Sequence, residues 1–292
     1  MMANSKTAKA FAKVNLTLDI TGRRADGYHT LRSVMQSISL CNRVQVTKNN
    51  SGAVSLMCDD PALPLDEKNT AYRAAQAFLA AINQNKTGLL VTVQKRIPYQ
   101  AGLGSASADA AGVLAACNAL FDFPLSQAAL LDLGAQVGAD VPFCLMGGTK
   151  LAEGIGEILT PLPPCPDCTL LVLHPGEGVS TPEAYRRFDA LTSPVSSDCR
   201  PMLAALAQED VWGVATSCGN VFEQCCPVQA VAQMKNALTD AGALGAAMSG
   251  SGTAVFGIFE DDAAAGAAQQ ALLHYGWKSW LAHPVSTGVV IE

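Results

Sequence analysis

The chain has 292 residues, 49% hydrophobic and 15% charged; this excludes a disordered protein and leaves room for one large or two ordinary domains. Its net charge of −6 excludes the broad positive field of a nucleic-acid binder, although a few local donors can still hold a small anion. Apolar runs are too short to span a bilayer, and residues 1–9 contain no apolar segment of a secretory signal, so a cytoplasmic protein with a small-molecule partner and no membrane partner is expected.

Residues 10–20 read as a strand with Val14, Leu16, Leu18 and Ile20 on one face and Lys13, Asn15, Thr17 and Asp19 on the other. Further strand-like segments follow at 33–40, 43–47, 54–58 and 89–94. A helix is predicted over 70–82, with Asn69 as its N-cap. Residues 98–105 form a loop of small residues, followed by an alanine-rich helix over 106–120. Ser126 caps another helix that runs towards Gly138. Gly138-Ala-Asp140-Val-Pro142 reads as a short constrained loop, because proline biases Val141 towards extended geometry.

The proline-rich stretch 161–166 reads as a linker. A strand at 169–174 comes next, then Thr181-Pro182 as N-cap and first helical residue of a helix through Tyr185. Helices at 202–208 and 228–241, a strand at 254–259, a helix at 262–274 and a strand at 277–282 complete the chain. The pattern predicts an α+β fold with an antiparallel sheet backed by helices in the second half.

Ten cysteines resemble a disulfide set, but nothing points to export, so reduced thiols are the expectation. Cys165-Pro-Asp-Cys168 has no second pair at zinc spacing and reads as a loop pair, not a metal or redox site.

Four constellations could carry chemistry. Gly102-Leu-Gly104-Ser-Ala-Ser107 directly precedes a helix, where glycines and unpaired N–H groups suit phosphate oxygens. It matches neither a Walker A loop nor a Rossmann turn; the structural alternative is a tight turn with Ser105 or Ser107 as N-cap. Lys13 and Asn15 share one strand face. Asp140 is a candidate general base or a turn aspartate. Ser249-Gly250-Ser251-Gly252 precedes a strand and permits close backbone approach, or is an ordinary turn.

The joint order of these motifs resembles the GHMP kinase superfamily: Lys-x-Asn on the first strand, Pro-x(3)-Gly-Leu-Gly-Ser before a helix, and a late Gly-Ser-Gly. Lys13-Val-Asn15-Leu, Thr21-Gly-Arg-Arg-Ala-Asp-Gly-Tyr28-His29, Gly138-Ala-Asp140-Val-Pro142-Phe and Glu153-Gly-Ile-Gly-Glu narrow the similarity to the 4-diphosphocytidyl-2-C-methyl-D-erythritol kinase family. Ser105-Ala106-Ser107-Ala108 departs from the Gly-Gly-Ser-Ser often found there. Two other readings are a superfamily kinase for another alcohol, such as homoserine or mevalonate, and a catalytically inactive ligand-binding relative.

The resemblance implies a two-domain fold, divided here at 1–165 and 166–292, with ATP and substrate between the domains. It implies Lys13 and Asp140 at the reacting hydroxyl. Gln100, Ala101, Gly102, Leu103, Gly104, Ser105, Ala106, Ser107, Ala108, Asp109 and Ala110 would wrap the ATP phosphates. Mg²⁺ would accompany ATP, held mainly by phosphate and water, with Ser107 or Asp109 as possible contacts and no set of protein ligands. The substrate, a cytidine diphosphate-linked methylerythritol, would meet Asn15, Tyr28, His29, Thr181, Tyr185, Gly250, Ser251 and Gly252. Tyr28 and Tyr185 would sandwich its cytosine while His29 bonds the base's Watson–Crick edge.

Overall fold

Two long antiparallel strands, β1 (Ser5–Arg23) and β2 (His29–Asn49), form the spine of the first half. The computed structural model describes residues 4–292; Met1 to Ala3, part of the stretch read for an export signal, lie outside it. Strands β3 (Val54–Cys58) and β4 (Gly88–Gln94) extend the sheet beyond β2, and β5 (Thr149–Glu153) with β6 (Ile158–Pro161) adds a hairpin to the other end of β2. The two segments expected at 33–40 and 43–47 are one strand. The break suggested by Cys41-Asn42 is absorbed by a register shift against β1 at Phe11/Ala12, and buried Asn42 uses its side chain elsewhere.

Helices α1 (Thr70–Ala81), α2 (Ser105–Leu120), α3 (Gln127–Val137) and α4 (Val141–Met146) cover this sheet. Asn69 caps α1 as expected, its side chain accepting from the Ala71 N–H at 2.9 Å. The loop expected around Asp140 is different: Val141 and Pro142 open α4 and Asp140 is its N-cap. Proline is tolerated in a first turn because the N–H it lacks would have had no intrahelical partner there.

The second half has an antiparallel four-stranded sheet, ordered β11-β7-β10-β9. Its strands are β7 (Thr169–His174), β9 (Gly245–Met248), β10 (Val255–Phe259) and β11 (Lys278–Ala282). Helices α5 (Thr181–Asp189), α6 (Arg200–Ala207), α7 (Val211–Thr216), α8 (Gln229–Asp240) and α9 (Asp262–Leu272) accompany it. Thr181 is the first residue of α5 and Ser180 its N-cap, one position from the expectation. The short strand β8 (Gly219–Asn220) and the last strand β12 (Val289–Ile291) both return to β1, so the second half ends inside the first sheet. All ten cysteines are free thiols. Among the described residues, no helix is long and apolar enough to cross a membrane.

Helix α2 lies against the β1–β2 spine at unusually close range. A Cβ on Gly112 would stand 2.9 Å from Val44 Cγ2 and 3.1 Å from the Ala10 Cβ. Gly112→Val should therefore overpack this seam and cost about 1–3 kcal/mol. Urea denaturation checks this, and an unchanged midpoint would contradict so tight a contact.

Candidate active site

Lys13 and Asn15 emerge from the same face of β1, as the two-residue strand period requires. Lys13 Nζ donates to Asn15 Oδ1 at 2.6 Å. Asn15 Nδ2 donates to Ser33 Oγ at 2.7 Å, and Ser33 Oγ donates to the Thr17 carbonyl at 2.6 Å. With its amide nitrogen committed, Asn15 turns its oxygen to the ammonium. Lys13 is only 4% exposed. Burial pushes its pKa below the ordinary value of 10.5, while Asp140 and then Cys144 act in the opposite direction. The Cys144 thiol is itself pushed far up by burial and stays neutral, so Asp140 is the effective counter-charge.

The glycine loop closes over this lysine. The Lys13 N–H donates to the Leu103 carbonyl at 3.1 Å. Gly104 caps α2 in the left-handed conformation, φ 72°, with no side-chain cap. A Cβ there would sit 3.0 Å from Lys13 Cγ, and one on Gly102 would overlap the Ser249 carbonyl. Neither Ser105 nor Ser107 is the N-cap, so no side chain takes the first N–H groups of α2. Ser249, named above only as part of the late glycine turn, links the parts. It accepts from the Asn15 N–H at 3.1 Å and donates to the Gly102 carbonyl at 2.9 Å. Asn220 also escaped notice; its Nδ2 donates to the carbonyls of Met248 at 2.7 Å and Gly250 at 2.8 Å and so holds the second glycine turn.

The expected phosphate contacts divide. Gln100 to Ser107 line a cleft of about 890 Å³; Ala108, Asp109 and Ala110 do not, because the rotation of α2 turns them into the core. Asp109 is 4% exposed. Its Oδ1 accepts from Asn42 Nδ2 at 2.6 Å and its Oδ2 from Lys95 Nζ at 2.5 Å. Lys95 also donates to Ser105 Oγ at 2.7 Å, while Asn42 Oδ1 accepts from the Arg96 and Ile97 N–H groups. Burial still drives the Asp109 pKa up, opposed by Lys95 and Asn42. Asp109 thus anchors the loop from behind and is not free to meet a phosphate or its metal. Gly250 and Ser251 line the cleft and Gly252 does not; a Cβ on Gly252 would lie 2.6 Å from Met248 Sδ.

Asp140 faces the cleft from the start of α4, with Gly156 opposite; a Cβ on Gly156 would lie 4.0 Å from Asp140 Oδ1. At the far end Tyr28, His29, Thr181 and Tyr185 are all on the wall. Thr181 Oγ1 lies 3.3 Å from Ser251 Oγ. Tyr28 and Tyr185, expected on either side of a cytosine, both line this end of the cleft. His29 stacks on Tyr185, centroids 4.8 Å apart and planes 21° apart. Tyr28 is 63% exposed, because it belongs to the turn and β2 starts only at His29. Burial raises the Tyr185 phenol to about 12, helped by Asp140. Among the described residues, no three His, Cys, Asp or Glu side chains group as a metal site.

Residues 69–148 match the family of the GHMP kinases N terminal domain, and residues 225–277 match GHMP kinases C terminal. The chain is 41% identical over 255 residues to the 4-diphosphocytidyl-2-C-methyl-D-erythritol kinase of Clostridium botulinum (strain Eklund 17B / Type B), covering 87% of this chain and 90% of that one. It is 44% identical over 260 residues to the enzyme of the same name from Pelotomaculum thermopropionicum, covering 87% and 89%. A crystal structure of 4-(cytidine 5'-diphospho)-2C-methyl-D-erythritol kinase superposes with a TM-score of 0.79 at 34% identity, covering 95% of this chain and 98% of that one. A homoserine kinase from Cytophaga hutchinsonii superposes with a TM-score of 0.80 at 21% identity, covering 100% and 98%, which is a likeness of fold.

The lowered Lys13 pKa makes a prediction about stability. Between the folded value and 10.5 the unfolded chain binds more protons than the folded one, so Lys13 makes stability rise with pH across that window. Lys13→Met removes this dependence. In urea denaturation from about pH 7 to about pH 10, wild type should gain stability relative to Lys13→Met. A difference that stays constant with pH would contradict the buried ammonium.

Proposed function

Because the chain belongs to the 4-diphosphocytidyl-2-C-methyl-D-erythritol kinase family of the GHMP kinases, we propose that Lys13 and Asp140 act together at the hydroxyl it phosphorylates. The enzyme catalyses ATP-dependent phosphoryl transfer to an alcohol of 4-diphosphocytidyl-2-C-methyl-D-erythritol, in the non-mevalonate route to isoprenoid precursors. In our reading the acceptor is the 2-hydroxyl, and the N-terminal domain (1–165) and C-terminal domain (166–292) contribute opposite walls of the cleft.

The observation that carries this reading is the convergence of a buried ammonium, a carboxylate and a helix-capping glycine loop on one cleft. Phosphoryl transfer is catalysed mainly by positioning and by stabilising charge. Asp140 takes the proton of the acceptor hydroxyl. Lys13, held by Asn15, stabilises the alkoxide as it forms. Residues 100–107 hold the ATP phosphates through the backbone at the start of α2. Mg²⁺ accompanies ATP; Ser107, on the cleft wall, fits it, whereas both oxygens of Asp109 are already bonded. Bound with ATP, the ion would neutralise charge on the phosphate oxygens. The cytosine lies at the far end of the cleft with Tyr28, His29 and Tyr185, and Asn15, Thr181, Gly250 and Ser251 meet the rest of the substrate.

Asp140→Asn keeps the shape and removes the base. The expected result is a kcat lowered about 10²–10⁴-fold with nucleotide affinity nearly unchanged, measured by ADP release and calorimetry. A near wild-type kcat would remove Asp140 from the chemistry. Tyr185→Ala should raise the KM for the cytidyl substrate about 10–100-fold, since base–aromatic stacking is worth about 1–3 kcal/mol, and leave the KM for ATP in place. An unchanged cytidyl KM would remove the cytosine from this wall.

A further inference from the structure

Tyr185 and Asp189 are four residues apart on α5 and so share one helix face. That face grips a single side chain of the opposite half in two ways. Tyr185 holds the plane of the His29 ring by stacking. Asp189 Oδ1 lies 2.6 Å from His29 Nε2. The other carboxylate oxygen of Asp189 faces Arg23 Nη1 at 3.7 Å, and the Arg23 Nε donates to the Gly27 carbonyl at 3.2 Å, inside the turn that presents Tyr28. The His29 side chain is only 10% exposed, whereas Asp189 is 37% exposed. Among the described residues, no protein group is bonded to His29 Nδ1, and His29, Asp189, Arg23 and Tyr185 all line the cleft.

The chemistry of an imidazole makes this grip consequential. A neutral histidine has one N–H donor and one lone-pair acceptor, and the bond made at one nitrogen decides the role of the other. An ionised carboxylate only accepts. Nε2 facing Asp189 must therefore carry the hydrogen, which leaves Nδ1 as an acceptor. Cytosine presents an exocyclic N4 amino donor, where uracil presents an O4 acceptor. An Nδ1 lone pair accepts from the amino group and opposes the carbonyl oxygen.

We propose that Asp189 is a specificity-determining positioning residue: its bond to Nε2 fixes His29 as an acceptor at Nδ1, and this selects a cytidyl over a uridyl substrate. The inference rests on the reading that places the cytosine beside His29. In this reading Asp189 contacts His29 and not the base. It acts through the tautomer of its neighbour, so the discrimination is built on α5 in the second half while the reading atom is on β2 in the first.

The test combines a spectroscopic and a kinetic readout on the full chain. Long-range ¹⁵N–¹H correlation spectra of histidine-labelled protein, recorded at about pH 8, above the ordinary imidazole range, report which nitrogen of His29 bears the hydrogen. The ratio of kcat/KM for the cytidyl substrate to that for its uridyl analogue reports selection. Wild type should show the Nε2–H form and a ratio of at least about 100. Asp189→Asn carries an amide that can donate as well as accept, so both tautomers become available and the ratio should fall about 10–100-fold with the KM for ATP unchanged. Asp189→Glu, which restores a carboxylate, should recover most of the ratio, and thermal melts of both variants check folding. An Nδ1–H form in wild type overturns the proposal. A ratio that survives in Asp189→Asn after the tautomer is released overturns it as well. A wild type with the Nε2–H form that phosphorylates neither substrate refutes the cytidyl reading itself, and the selection role falls with it.

Discussion

The site depends on one ammonium held almost out of water. Lys13 is buried under the glycine loop, and desolvation penalises its charge. The charge is kept by an amide oxygen at 2.6 Å and by the field of Asp140. Every close neighbour is arranged around that requirement. Gly104 has no side chain because Lys13 Cγ occupies the space, and Gly102 has none because the Ser249 carbonyl does. Ser33 orients Asn15, and Ser249 ties Asn15 to the loop. A lysine in water would be strongly hydrated and free to move; here it is fixed beside a carboxylate in a place where charge counts for more.

A buried ion pair supports the loop from the other side. Lys95 and Asp109 pair within the core, and Asn42 and Ser105 complete their bonding. The exchange is local: Asn42 Oδ1 serves the two backbone N–H groups that follow β4, and Ser105 Oγ donates to the Ile97 carbonyl. A buried pair with all of its remaining partners supplied contributes definition more than stability, since its desolvation offsets much of its attraction. Its position suggests what it defines. It joins the end of β4 to the first turn of α2, the two ends of the glycine loop.

The chemistry was more legible than the architecture. Lys13 and Asn15 are two residues apart, and strand periodicity alone puts them on one face. The loop before α2 is marked by its glycines, and those positions do need them. Asp140 was found, but not its setting: Pro142 suggests an extended Val141, and the first turn of a helix admits proline just as well. Strand β9 was missed because Gly245-Ala-Ala-Met248 has no β-branched residue, and its place is set by pairing with β10. The return of β12 to β1 has no local signature, being a contact between the two ends of the chain. Asp109 stands in the motif expected to wrap phosphates and is for that reason an expected ligand contact. Its partners Lys95 and Asn42 are 14 and 67 residues away, a separation that no motif records. Asp189 is the opposite case, since four residues after Tyr185 on one helix is a readable spacing.

In the function proposed above, this cleft joins ATP to a cytidyl-linked alcohol. ADP release measured with the purified chain on three acceptors, 4-diphosphocytidyl-2-C-methyl-D-erythritol, homoserine and mevalonate, tests it most directly. The expected result is turnover with the cytidyl substrate and none above background with the other two. Turnover of homoserine or mevalonate in its place, or of no acceptor at all, would contradict it.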